Sequence, residues 1–255
     1  MLESIILTIA AFITSTISAI IGMGGGIILL GIMAIIIPQG YMVIALHGII
    51  QLISNTTRTF LFRKHLKKNI INEFIVGALL GIALSIGLIF YLINHFNVNS
   101  ADQIDMEILK PIIGLFIIWN ITFKKYFKNK VIKTENNSFL IVGFLSGLAS
   151  IFIGATGPLI APFFINKKFS KENIIANKAA FQMITHLSKI PIFIYFFNFN
   201  YFNKIDMLLP LIIAVFIGTN FGKKILTKIP EDLFMKIFKL TLALIAIKLI
   251  LEPFI

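Results

Sequence analysis

The sequence predicts an all-α integral membrane protein made of two structural repeats, and three observations carry that prediction. Of the 255 residues, 58% are apolar and 13% charged, and the mean hydropathy of +0.94 is far above what a water-soluble surface tolerates. Long apolar runs recur along the chain, bounded by polar or basic residues. Two of these runs are interrupted by glycine-containing breaks, one early in each half, and the same spacing of polar residues follows each break. No polar or low-complexity stretch separates off a soluble unit, so residues 1–255 read as a single membrane domain.

Ser4 to Thr57 contains no Asp, Glu, Lys or Arg, which is too long for one span because a bilayer core is crossed by roughly 20 apolar residues. The run is cut at Gly22-Met23-Gly24-Gly25-Gly26 and again near Pro38-Gln39-Gly40. The pieces are 4–22, 27–37 and 41–62, and the middle one is too short to cross alone. Phe74 to Ile93 is an uncharged span, and Ile108 to Phe123 is a shorter apolar piece leading into a basic stretch. After the polar residues Lys124 to Asn137 the pattern restarts, with an uncharged run from Ser138 to Asn166 broken at Gly154-Ala155-Thr156-Gly157-Pro158. Further apolar pieces lie at 174–198, 207–222 and 233–251. In all, about 8 membrane segments or more are expected. Continuous runs, unlike the short alternating segments of a barrel, call for helices. The N-terminus has Glu3 and no basic region, and its apolar run enters a glycine cluster instead of a cleavage site, so it is expected to be retained as the first membrane helix.

Placing Gly22 over Gly154 aligns the two breaks. About 25 residues further on, His47, Gln51, Asn55 and Arg58 correspond to Lys178, Gln182, His186 and Lys189, both sets spaced by 4, 4 and 3. On a helix that spacing is one polar stripe. Residues 1–123 and 138–255 therefore read as two repeats joined by a loop at 124–137. Basic loops face the cytoplasm, and Arg63, Lys64, Lys67 and Lys68 form one, as do the lysines of 124–133. Between them, the 94–107 loop carries Asp102, Asp105 and Glu107 without Lys or Arg. In the second half the basic groups are Lys167, Lys168 and Lys171, then Lys223, Lys224 and Lys228, while 199–206 is nearly neutral. This shifted pattern is satisfied when the repeats are inverted and each opens with a broken, partly re-entrant element. A parallel four-plus-four arrangement is the alternative.

The formal charge of +12 does not point to nucleic acid, because the basic residues lie largely in short loops or at helix ends and serve as cytoplasmic anchors. The chain has no Cys, which excludes disulfides and thiolate chemistry. The four His are scattered and the few acids cluster in loops or at ends instead of facing the stripes, so no metal site and no cofactor are expected. Gly-Met-Gly-Gly-Gly follows an apolar helix and lacks a Lys-Ser/Thr ending, so it is not a nucleotide loop.

Interrupted helices in corresponding places of two halves point to a transporter's substrate site. A helix starting at Ile27 or Pro158 aims backbone N–H groups and its positive dipole end at the break, which favours an anion, and Pro158 suits a first turn. The candidate binding residues are Gly24, Gly25 and Gly26 in the first break and Gly154, Thr156 and Gly157 in the second. Gln51, Asn55, Gln182 and His186 add neutral donors from the stripes, and Lys178 a countercharge. His186 or His47 can take a proton if transport is proton-coupled, although a helix-to-helix hydrogen bond is the plainer role. Arg58 and Lys189 lie near helix ends, where snorkelling and a role in the site are equally expected. Gly77/Gly81, Gly143/Gly147 and Gly218/Gly222 are assigned to close helix packing.

These residues read as a multi-pass secondary transporter of a small anion in the cytoplasmic membrane, working by alternating access, with protons as a candidate coupling ion and a homo-oligomer left open. A channel of the same architecture is the first rival. A membrane enzyme is disfavoured by the lack of Cys, of paired carboxylates at the breaks and of a metal cluster.

Two halves, each with a glycine-containing broken first helix, here Ile20 to Pro38 and Gly147 to Pro162, followed by a polar-striped second helix, resemble the TauE/SafE family of sulfite exporter-like permeases. The resemblance covers essentially the whole chain. The second half departs from it, with Ala155-Thr156 where more glycine is usual. What the resemblance implies is a substrate among sulfite, sulfonates and related small sulfur-containing or organic anions.

Overall fold

A computed structural model describes residues 2–22, 24–37, 39–103, 138–165 and 169–251. The span expected at 108–123, the loop at 124–137 and Met23, Pro38, Asp105, Glu107, Lys167 and Lys168 lie outside the described residues. The described residues are helical with no strand. The helices are α1 (Leu2–Ile21), α2 (Gly25–Ile36), α3 (Gly40–Leu61), α4 (Lys68–Phe96), α5 (Ser138–Ile153), α6 (Gly157–Ile160), α7 (Pro162–Ile165), α8 (Lys171–Phe196), α9 (Ile205–Leu226) and α10 (Glu231–Leu251).

Helix ends follow local chemistry. α1 stops where Gly22 turns to φ +80, a conformation that strains other residues. Asn97, at φ 50, ends α4 in the left-handed region that Asn tolerates. The Ser170 side chain accepts the Asn173 backbone N–H and caps α8.

Among the described residues, three segments are long and apolar enough to cross a membrane: Leu2–Ile21, Lys68–Phe96 and Phe202–Leu226. They expose large side chains such as Ile9, Ile13, Leu80, Leu84, Phe216 and Ile217. A surface this apolar belongs in lipid, and the chain is a membrane protein. α3 and α8, at 22 and 26 residues, are as long but more polar, because they carry the stripes in the protein interior.

The helices pair α1 with α9, α4 with α5, and α3 with α8. The six glycines assigned to packing sit in the first two contacts. A Cβ on Gly77 or Gly81 would strike the carbonyls of Leu140 or Phe144, and one on Gly143 or Gly147 those of Phe74 or Ala78. Gly218 and Gly222 press likewise on the backbone of Phe12 and Thr16. Such close backbones allow Thr16 Oγ1 to donate to the Gly218 carbonyl at 3.1 Å and Ser85 Oγ to that of Leu148 at 2.9 Å.

α3 and α8 are antiparallel. Tyr41, at the start of α3, stacks on Phe197, just past α8, at 6.5 Å. At the other end the Lys67 N–H donates to Asn177 Oδ1 at 2.9 Å, and Asn173 Nδ2 to the His65 carbonyl at 2.8 Å. Lys223 Nζ reaches the Leu61 carbonyl at 3.1 Å, and the Lys171 N–H reaches Glu231 Oε2 at 3.0 Å. These bonds gather the 62–67 loop, the start of α8 and the α9–α10 junction at one basic end. The opposite end is aromatic, built around Tyr41, Phe197, Phe199 and Tyr201.

The second break departs from the expected single helix beginning at Pro158. Two four-residue helices follow it, separated by Ala161. Pro162 has no N–H with which to continue the ladder.

Candidate functional site

Both breaks and both stripes meet around one small cavity. Its wall is formed by Ser18, Gly24, Gly26, Ile27 and, from the stripes, His47, Gln51, Gln182 and His186, with Ala155 and Gly157 from the second break. The cavity measures ≈ 10 Å³, about the room needed by the centre of one water molecule.

The first break brings α2 to this wall. Gly24 takes φ 92 at the N-cap of α2 and no side chain caps that end, so first-turn N–H groups and the positive end of a 12-residue helix are directed at the cavity. Gly26 is there because it lacks a Cβ, which would sit 3.1 Å from Gln51 Oε1. The second break repeats the contact, since a Cβ on Gly157 would lie 3.0 Å from Gln182 Nε2. α6, with four residues, carries too little dipole to act as a counterpart of α2.

Around the cavity the stripes divide their work. His47 Nε2 donates to the Gly26 carbonyl at 2.8 Å, which fixes that nitrogen as the protonated one in the neutral ring. The His47 and His186 rings meet edge to face at 5.9 Å. His186 is 1% exposed, and neither of its ring nitrogens has a partner among the described residues. Arg58 Nη1 donates to the Ser18 carbonyl at 3.1 Å and to Ser18 Oγ at 3.0 Å, and Nη2 donates to Asn55 Oδ1. Lys189 Nζ donates to the Gly154 carbonyl at 2.6 Å. Snorkelling is thereby overturned for both cations, which are 1% and 0% exposed and donate to the carbonyls of Ser18 and Gly154 beside the breaks.

Of the expected residues, Gly24, Gly26, Gln51, Gly157, Gln182 and His186 come together on the cavity wall. The others do not line it. Gly25 packs on the Thr14 carbonyl, and Asn55 is held by Arg58 while its Nδ2 donates to the Gln51 carbonyl at 2.8 Å. Gly154, at φ +78, offers its carbonyl to Lys189. Thr156 shares a 3.3 Å hydrogen bond with Thr185. Lys178 Nζ lies over the Phe238 ring, 5.4 Å from its centroid. Sequence reasoning missed Ser18, Ile27 and Ala155 as lining residues; a serine among the hydroxyl residues of α1 gives no signal that separates lining from packing.

Among the described residues Arg58, Lys171, Lys178 and Lys189 are buried cations; Lys171 Nζ lies 3.8 Å from Glu172 Oε1, and none of the other three forms an ion pair with a carboxylate. No group of three or more His, Asp or Glu able to hold a metal occurs among the described residues. Buried cations, side-chain amides and the first-turn N–H groups of α2 make the surroundings of the cavity rich in hydrogen-bond donors. A family model described as sulfite exporter TauE/SafE matches residues 7–249. No curated protein and no solved structure matches.

Proposed function

The chain belongs to the sulfite exporter TauE/SafE family, and from that membership we propose that it is a secondary transporter of sulfite or a small sulfonate, working by alternating access. One observation carries the anion reading: Arg58 and Lys189, both buried, anchor the two breaks beside the cavity without a carboxylate partner among the described residues. An unpaired buried cation is costly, and an anion held between the breaks offsets that cost. Gly24, Gly26, Gln51, Gly157, Gln182 and His186 are its contact residues, and Asn55, Gly25, Gly154 and Thr156 support them from behind. Because the cavity has room for one water's centre, the described conformation is closed, and entry of an oxyanion requires the halves to move. That requirement favours a carrier over an open channel.

Residues 1–123 and 138–255 form two inverted repeats in this proposal. Support comes from reciprocal packing, in which the opening helix of each half lies against the other half's later helix, α1 on α9 and α5 on α4, while α3 and α8 lie antiparallel. Gly22 and Gly154 share a positive φ of 80 and 78, and Gly26 meets Gln51 as Gly157 meets Gln182. With its basic end in the cytoplasm the chain spans the inner membrane several times, and no enzymatic step is assigned. His186, paired edge to face with His47, is the group placed to carry a coupling proton.

Purified protein in liposomes should take up sulfite with saturation, and a pH gradient should change the rate. Conductance that never saturates would replace the carrier by a channel, and no flux of sulfite or of any tested sulfonate would remove the anion reading.

A further inference from the structure

We infer that Lys178 and Arg58 form a second anion-binding station, separate from the central cavity and on its basic side, roofed by Phe234 and Phe238 of α10. It rests on the anion-transport reading above and adds a place where the ion stops on its way.

Lys178 is 0% exposed and its ammonium has no hydrogen-bond partner among the described residues. The Phe238 ring, 5.4 Å from Nζ, offers a cation–π contact that leaves the N–H donors without an acceptor. Arg58 is 1% exposed, and its Nε also lacks a partner among the described residues. Both cations border the first break: Arg58 donates to the Ser18 carbonyl, which also accepts the Gly22 N–H, and the Phe238 ring beneath Lys178 Nζ approaches Gly22 itself. Burying two like charges together, each with an unused donor and neither with a carboxylate, adds repulsion to desolvation. An oxyanion between them removes both costs and fills both donors.

The station's position follows from the antiparallel pairing of α3 and α8. The basic end lies toward higher numbers on α3 and lower numbers on α8. Arg58 is two turns beyond Gln51, and Lys178 one turn before Gln182, in that direction. Neither cation lines the cavity, whereas both glutamines do. An ion entering from the basic end therefore meets Lys178 and Arg58 first. The cover is hydrophobic: Phe234 and Phe238 are buried, and both rings approach the first break, where a Cβ on Gly22 would lie 3.9 and 3.7 Å from them.

Membrane vesicles that expose the basic face and vesicles that expose the opposite face separate this station from the central site. With sulfite as the probe, Lys178→Met should raise KM at least tenfold from the basic face and less than twofold from the opposite face. Phe238→Ala keeps the ammonium and removes the cover, so it should lower the basic-face KM twofold or more, which tests the station even if the lysine variant does not fold. Equal changes from both faces would assign Lys178 to the central site, and unchanged KM in both variants would make it structural. Either result overturns the station while leaving wild-type transport intact. Wild-type vesicles that move no sulfite would overturn the transport reading itself, and the station with it.

Discussion

Lys189 donates to the carbonyl oxygen of Gly154 at 2.6 Å, so the last charge of one stripe holds the backbone at the break that opens the same half. Charge and hydrogen bond can be separated with two neutral variants. Lys189→Gln keeps a donor within reach of the carbonyl, and Lys189→Met leaves the carbonyl unpaired. The Met variant should be less stable than the Gln variant by about 1–3 kcal/mol, the cost of orphaning a buried acceptor. Both should lose sulfite flux, because both remove the cation. Thermal melts in detergent beside liposome flux give the comparison, and flux retained in the Gln variant would restrict Lys189 to an anchoring role.

Two neighbouring glycines of the first break, Gly25 and Gly26, should respond differently to one methyl group. A Cβ on Gly25 would run into the backbone of Thr14, which cannot give way, whereas on Gly26 it meets the end of the Gln51 side chain at 3.1 Å. Gly157 is placed like Gly26, against Gln182 at 3.0 Å. Gly25→Ala should therefore reduce the yield of folded protein. Gly26→Ala and Gly157→Ala should fold and lose at least about tenfold in transport, the scale of 1.4 kcal/mol. Size-exclusion profiles and flux per folded molecule distinguish the two outcomes.

Much of this arrangement was legible because it depends on spacing. The 4, 4, 3 interval placed His47 to Arg58 and Lys178 to Lys189 on single helix faces, and the glycine clusters marked where α1 and α5 stop. Spacing does not say what lies opposite each side chain. His47 reaches the cavity wall, while Lys178, at the same place in its stripe, lies against Phe238. Asn55 bonds to Arg58 one turn away, and the burial of Arg58 and Lys189 depends on neighbours that come from elsewhere in the chain. The splitting of the second broken helix at Pro162 turns on one missing N–H within an apolar run.

The absence of native cysteine makes the proposed orientation directly measurable. Lys64 and Lys228 are exposed at the basic end, and Asn97 and Asn200 are exposed in the loops that follow α4 and α8. Single substitutions Lys64→Cys and Lys228→Cys should react with an impermeant maleimide from the cytoplasmic side only, and Asn97→Cys and Asn200→Cys from the outside only. Labelling of Asn97→Cys and Asn200→Cys from different sides would rule out the inverted pairing.

Gln182 offers the sharpest test of the anion reading, because one atom changes its electrostatic meaning. Its amide lines the cavity next to His186 and is 8% exposed. Gln182→Ala removes neutral donors to a charged ligand, each worth about 1.5–3 kcal/mol, so KM for sulfite should rise with little change in the melt. Gln182→Glu keeps the shape and supplies the carboxylate that Arg58, Lys178 and Lys189 lack among the described residues. That side chain occupies the ion's place: the protein without anion should melt at the same or a higher temperature, lose its stabilisation by sulfite and carry none. A glutamate variant that is destabilised, still stabilised by sulfite and still active would mean that this cavity is not where the anion binds.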